Sequence, residues 1–329
     1  MQFPERGTTV RALSKELMRI RCFAALLLLS CSPSAPAEAP PPATPAAVEP
    51  AAVAAVAEPV FVPVDRGGRL FDKWWAELKL EFVPDNPKTP EADGKGGPFD
   101  DGTLPDIAGK PIKNPGHDYR LKNLFGWDLR GAEGIYGAGY QGKSYVATTN
   151  LLREDFEEAE LVHRLTRGYL NWPAYGKVLP PEAISEIAAF VMAVREGRAA
   201  RPDEIWKLSA GTPKNYVLND GADVAAGHDI IAKQCSGCHG EDGTAKGLEG
   251  GKYSLGSFGR THAYELWFKL LAGQPKTPMH GQLPKNADGK AQSQSALDII
   301  AALCDRTRYP QGKASKDDAP TGDVRCAKY

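Results

Sequence analysis

The sequence predicts an all-α protein of two helical domains in tandem, the first interrupted by a long loop-rich insert. Three observations point there. Apolar residues recur at helical spacing in DVAAGHDIIAKQ, THAYELWFKLLAG and SQSALDIIAALC. ELVHRLTRGYLNWPAYG (160–176) lies on ELWFKLLAGQPKTPMHG (265–281) without a gap, at a constant offset of 105. Each copy is followed by another apolar run, AISEIAAFVMAV in the first and SALDIIAALC in the second.

Residues 1–30 read as an over-extended start plus an export signal. Met18 is the natural start, Arg19 and Arg21 form a basic stretch, and Cys22 to Leu29 is apolar. That run is too short for a membrane span, which needs about 20 apolar residues. LLSC (28–31) resembles the lipobox of bacterial lipoproteins. The resemblance implies that Cys31 is lipidated, becomes the mature N-terminus, and holds the protein to a bacterial membrane on its periplasmic side, the outer membrane being favoured. Residues 31–60 form a linker of Ala, Pro, Val, Ser and Glu that cannot bury a core and holds the folded part away from the bilayer.

Residues 61–200 form the first domain. Its first helix is expected in RGGRLFDKWWAEL, with Phe71, Trp74, Trp75 and Phe82 filling the interior. The insert that follows begins as a Pro/Gly/Asp-rich loop and ends in LFGWDLRGAEGIYGAGYQGKSY. The aromatic residues there, Trp127, Tyr136, Tyr140 and Tyr145, either meet a partner or close over the domain interior; both readings stand. Residues 201–220 are a connector. In the second domain, 221–310, a helix starts at Asp223, glycines dominate 240–259, a helix runs from Thr261 to Gly273, TPMHGQLP loops out, and a last helix follows. Residues 311–329 are a polar tail.

The chemistry is concentrated in QCSGCHGEDG (234–243). Two cysteines three apart followed by histidine suit a haem, a redox thiol pair or half a zinc site. Redox pairs usually open a helix after a strand, and no βαβ pattern surrounds this one. Zinc needs further donors, which only the distant Cys304 or Cys326 supply. A Thr277-Pro278-Met279 loop lies 40 residues after His239, with a helix beyond it. Residues 221–310 therefore resemble a class I cytochrome c domain. The resemblance implies one covalent haem c per chain, thioether bonds at Cys235 and Cys238, His239 as proximal ligand, and Met279 as distal ligand with Pro278 restricting the backbone before it. His280 is a rival distal ligand; His228 and His262 are less suitably placed.

The first domain resembles the same fold without its haem. Ala174 stands where the second domain has Met279. Gly68 is aligned with Gly227, and eight positions further on is Ala76 where the second domain has Cys235. No cysteine occurs from 32 to 234, so a c-type haem has no attachment point; non-covalent haem at His117 or His163 is the remaining alternative. Cys304 and Cys326 are then left as a pair 22 residues apart, and export predicts a disulfide tying the tail to the last helix.

The chain carries 40 basic and 41 acidic residues. Loss of residues 1–30, with five basic and two acidic side chains, leaves 35 against 39 and a net charge of −4. With no basic stripe, nucleic acid is excluded as a partner. The expectation is a lipid-anchored electron carrier or redox-complex subunit, rather than a stand-alone enzyme, working with redox proteins of the periplasm or membrane. The alternatives are an electron-accepting haem subunit of a dehydrogenase or oxidase complex that docks through the haemless domain, or a haem enzyme if the distal ligand is labile. The intact mass of membrane-extracted protein should show loss of residues 1–30 and a diacylglycerol-sized gain, and Cys31→Ala should release the protein from the membrane fraction.

Overall fold

Helices carry the architecture: α1 (Val64–Glu77), α2 (Leu121–Phe125), α3 (Glu158–Arg167), α4 (Pro181–Arg195), α5 (Pro202–Ile205), α6 (Val224–Ile230), α7 (Ser236–His239), α8 (Leu255–Thr261), α9 (Ala263–Ala272) and α10 (Gly289–Ala302). A single π-helical turn, Ile231–Cys235, joins α6 to α7. Two short antiparallel strand pairs, β1 (Leu104–Pro105) with β2 (Pro111–Ile112) and β3 (Trp206–Leu208) with β4 (Tyr216–Leu218), and 3-10 turns at Gly131–Glu133, Tyr175–Lys177 and Val324–Cys326 complete the described elements. The computed structural model describes residues 64–80, 104–112, 119–137, 146–210 and 214–329, all within one compact unit. Cys31, the linker, Phe82, His117, Tyr140 and Tyr145 lie outside the described residues.

The two halves repeat one helix crossing. In the second half α6 packs on α10, and a methyl group at Gly227 would sit 2.1 Å from Asp298 O and 2.9 Å from Ala302 Cβ. In the first, α1 packs on α4, and a methyl at Gly67 would sit 2.1 Å from Glu186 O and 2.8 Å from Phe190 Cβ. Only glycine permits backbones this close. Gly67, not Gly68, is therefore the counterpart of Gly227, and Trp75, not Ala76, stands at the position of Cys235. Both opening helices also lose regularity at the corresponding point, α1 at Lys73 (φ −152°, ψ 75°) and α6 in the π turn containing Lys233.

α3 and α9 keep the 105-residue offset at both ends, and each stops at a glycine with φ above 80°, Gly168 and Gly273. Their surroundings differ. α3 buries only Leu161 and Leu165, whereas nearly every residue of α9 is buried. A helix apolar all round needs cover all round, and α9 has it: Phe268 meets Phe71 of α1 at 5.9 Å and Trp127 at 5.0 Å, and Trp267 meets Trp206 at 5.8 Å between ring centroids. α9 is thus the shared centre of the two halves.

Phe71, Trp74 and Trp75 are buried as expected. Of the two readings of the insert, its described part closes over the interior: Leu124, Phe125, Trp127, Leu129, Ile135 and Tyr136 are all buried. Residues 201–220 are more structured than a connector. The Tyr216 hydroxyl donates to Arg260 O (3.2 Å) and accepts from Ala263 N (3.0 Å), bridging the junction of α8 and α9.

Side-chain caps start α6, α8 and α10. The carboxylates of Asp223 and Asp288 accept from Ala226 N (2.9 Å) and Ala291 N (2.8 Å). α8 begins inside the stretch where glycines dominate, 240–259. Its glycines weaken intrinsic helix preference but allow contact: a methyl at Gly256 would lie 2.2 Å from Tyr309 O. A Ser254–Ser257 capping box starts the helix, and its buried Arg260 donates to Leu303 O (2.6 Å), Tyr309 O (2.9 Å) and the Asp318 carboxylate (2.9 Å). Those bonds fold the tail back, beside a Cys304–Cys326 disulfide with Cα atoms 5.7 Å apart.

Asp128 is buried in the insert, where its carboxylate accepts from Ile135 N at 2.8 Å. Burial pushes its pKa up to about 6 against the pull of Arg130 and of backbone N–H groups. Because the folded-state value lies above the unfolded one, its contribution to stability is present at acid pH and is lost as pH rises towards 6. Relative to wild type, Asp128→Asn should gain about 2–3 kcal/mol between pH 4 and pH 7, measured as the change in urea-unfolding free energy at the two pH values.

Candidate functional site

Cys235, Cys238 and His239 share one stretch of chain where the π turn runs into α7. The wider turn ends a helix that Gly227 clamps against α10, so the motif projects from a rigid base. π turns are frequent at functional sites. Cys235 is half-buried and Cys238 exposed, and both are free thiols while Cys304 and Cys326 are joined. Burial, then the neighbouring Cys238, pushes the Cys235 thiol up to about 11.

His239 is largely buried, and burial followed by Lys246 lowers its pKa. The ring is therefore held neutral, the form that binds metals. Its Nδ1 has no hydrogen-bond partner among the described residues. Leaving such an atom buried costs about 1–3 kcal/mol, unless the imidazole engages something the chain itself does not provide. Gly240, at φ 82°, turns the chain away, and Ala245 N returns to donate to His239 O at 2.9 Å.

Met279 sits half-buried in the loop between α9 and α10, and Pro278 and His280 are exposed. The loop is ordered by its own backbone. Gln274 N donates to Met279 O (2.9 Å), Met279 N donates to the Thr277 hydroxyl (3.2 Å), and Gly273 pairs with His280. α10 packs against both α6 and α9, so the CxxCH ends one neighbour of α10 and the methionine loop ends the other.

The two less suitably placed histidines are engaged elsewhere. His262 stacks on Phe258 at 5.1 Å, its Nδ1 meets the Thr261 hydroxyl at 2.8 Å, and burial followed by nearby cations drives its pKa down to about 4. His228 Nδ1 lies 3.3 Å from the hydroxyl of Tyr309. Tyr309 escaped the sequence reading because it follows the last helix in a polar run. His163 is exposed on α3. At the position matching Met279, Ala174 is buried and its N–H donates to Pro105 O (2.9 Å), so β1 covers the first half's loop.

Among the described residues no three His, Cys, Asp or Glu side chains converge as a metal site. With Cys304 and Cys326 bonded to each other, a zinc site at this turn lacks its remaining donors among the described residues. The residues fit a covalently attached haem better: two free thiols, and a neutral imidazole with an uncommitted nitrogen.

No protein-family model and no curated protein matches the sequence. Among solved structures, a chain of the reducing HAO-like protein complex from Kuenenia stuttgartiensis is similar at 16% identity, over 44% of this chain and 71% of that one, with a TM-score of 0.19. A likeness so slight leaves fold and chemistry to be argued from this chain's own residues.

In haem-free protein, iodoacetamide should label Cys238 well before Cys235. At pH 8 a thiol with a pKa near 11 is thiolate in roughly one molecule in 10³. Time-resolved peptide mass spectrometry measures the two rates, and equal labelling would contradict the environments described.

Proposed function

We propose that this chain is an exported monohaem c-type cytochrome that passes single electrons between redox proteins of the periplasm or membrane. The observation that carries the reading is the CxxCH turn, with its two free thiols and a neutral imidazole whose buried nitrogen has no partner. Cys235 and Cys238 would hold the macrocycle by thioether bonds, and His239 and Met279 would hold its iron as proximal and distal ligands, with Pro278 restricting the loop before Met279. When bound, haem c supplies one iron that accepts and returns a single electron. The chain's part is to hold that centre in place through redox cycles and to keep its sixth position filled. A soft thioether there favours the reduced state.

The repeated crossing at Gly67 and Gly227, and the matched ends of α3 and α9, support reading residues 61–200 and 221–310 as two cytochrome c-like domains. Trp75 and Ala174 replace a thioether residue and the distal ligand in the first, which leaves it haemless. Among the described residues no helix is long and apolar enough to cross a membrane, and attachment is assigned to lipid on Cys31.

A second reading, an electron-accepting haem subunit of a dehydrogenase or oxidase complex, is supported by Ile107 and Leu170. These large apolar side chains are exposed on adjoining loops of the first half, where Ile107 N lies 3.1 Å from the ideal Cβ position of Gly168. Stoichiometric co-purification of another protein from detergent-solubilised membranes, abolished by Ile107→Ser with Leu170→Ser, would favour this reading.

Pyridine haemochrome analysis should give one haem per chain. The oxidised protein should be low-spin, with the weak long-wavelength band of sulfur-to-iron charge transfer. Met279→Ala should abolish that band and lower the midpoint potential by ~0.1 V or more, within the ~0.8 V span that axial ligands set. Two haems per chain would overturn the account of the first half, and a five-coordinate, high-spin wild type would turn the assignment to a haem enzyme.

A further inference from the structure

One stripe of α1 reaches out of the haemless half and grips both ends of the loop that carries Met279. Its members are Asp65, Gly68, Arg69 and Asp72, spaced i, i+3, i+4, i+7, so they share a helix face. Asp72 is fully buried and is bonded to Lys269 on α9 and to Arg120 of the insert. Burial alone would raise its pKa, but Lys269, then Arg120 and Lys122, hold the carboxyl well below the usual range, and it stays charged. One turn earlier, Arg69 donates from Nη1 to Ala272 O (3.1 Å), the last residue of α9, while Glu77 fixes its guanidinium at 2.9 Å. A cation on a carbonyl at a helix C-terminus is favourably placed. Gly68 allows the approach, since a methyl there would lie 2.5 Å from Ala272 Cβ.

The far end of the loop meets the same face. Asp65 pairs with Lys285 Nζ at 3.2 Å, and its Cγ lies 3.4 Å from the ideal Cβ position of Gly281. α9 completes the frame: Lys269 O accepts from Gly273 N (2.8 Å), and Leu270 O accepts from Gln282 N (2.6 Å) and Leu283 N (3.2 Å). The loop therefore leaves and rejoins a frame whose outer wall belongs to the other half of the molecule.

We propose that the haemless half is a clamp for the distal-ligand loop, with Asp65, Arg69 and Asp72 as positioning residues that keep Met279 seated. The inference rests on the reading of Met279 as distal ligand. A methionine held only by its own loop leaves the iron whenever the loop opens, and local opening is governed by the contacts at the loop's ends. The first half thus lowers the open population and protects the sixth position from exogenous ligands.

The test is imidazole titration of the oxidised holoprotein, followed by loss of the charge-transfer band, with hydrogen exchange at Gln274 and Gln282 as a second readout. Arg69→Met keeps the stem and removes the donors. It should tighten apparent imidazole binding about tenfold, the size of one charge-assisted hydrogen bond, and speed exchange at both amides. Arg69→Lys should restore most of the wild-type behaviour. Asp65→Asn removes a partly exposed ion pair, with little risk to folding, and should shift binding a few-fold in the same direction. Arg66→Met is the control, because Arg66 pairs with Glu186 inside the first half, and it should leave both readouts unchanged. Wild-type imidazole affinity in Arg69→Met and Asp65→Asn, or an equal shift in Arg66→Met, overturns the clamp. A wild type that carries haem but lacks the sulfur band overturns the reading of Met279 itself, which the same spectra reveal before any variant is compared.

Discussion

At Gly67 and at Gly227 the carbonyl oxygen of an opposing helix lies where a methyl group would otherwise be, and each half is built outward from that contact. Backbones this close leave no slack in the angle or register of the two helices. In the second half the crossing fixes α6 on α10, and everything that extends α6, including the CxxCH turn, inherits that placement. In the first half it fixes α1 on α4 and so aims the outer face of α1 at α9. One steric constraint, used twice, thereby orients both the chemical motif and the surface that supports it.

What the halves do with this shared frame diverges at a few positions. Trp75 stands where Cys235 would place a thioether, and Phe71 packs against Phe125, Phe190 and Phe268 at 5.7–6.1 Å. Aromatic side chains thus fill the interior of the first half, and the insert closes over them with Trp127 and Ile135. The loop with Ala174 is tied down by Pro105, a neighbour in the same half. The loop with Met279 takes its outside support from the other half. On the proposed reading the two halves are unequal partners, one carrying the chemistry and the other mechanical constraint.

Much of this was legible in the sequence because it rests on local pattern. The 105-residue offset marked α3 and α9 as counterparts, Asp223 marked the start of α6, and the CxxCH and Pro-Met spacing marked the candidate ligands. The failures are all tertiary. α8 was hidden because its glycines argue against helix locally and make sense only beside Tyr309 and Leu303. Gly68 aligns with Gly227 in sequence as readily as Gly67 does, because two adjacent glycines cannot be distinguished until their different partners, Glu186 and Ala272, are seen. The stripe of Asp65, Arg69 and Asp72 is visible as a spacing in DRGGRLFD, but charged residues on a helix ordinarily face water. Nothing local announced that this face would be covered.

The buried Arg260 has a consequence for how the chain matures. Four thiols, at positions 235, 238, 304 and 326, can form a single disulfide in six ways, and only the 304–326 bond leaves Cys235 and Cys238 both reduced. The tail that carries Cys326 is drawn in without help from sulfur. Arg260 and Arg306 converge on Asp318, Arg325 donates to Thr261 O at 3.3 Å, and the Tyr329 hydroxyl reaches Asn219 O at 2.5 Å. Contacts outside the disulfide therefore also favour the Cys304–Cys326 pairing. The salt-bridged tail delivers Cys326 to Cys304, and the pair three residues apart in the CxxCH turn is left to whatever chemistry next arrives there.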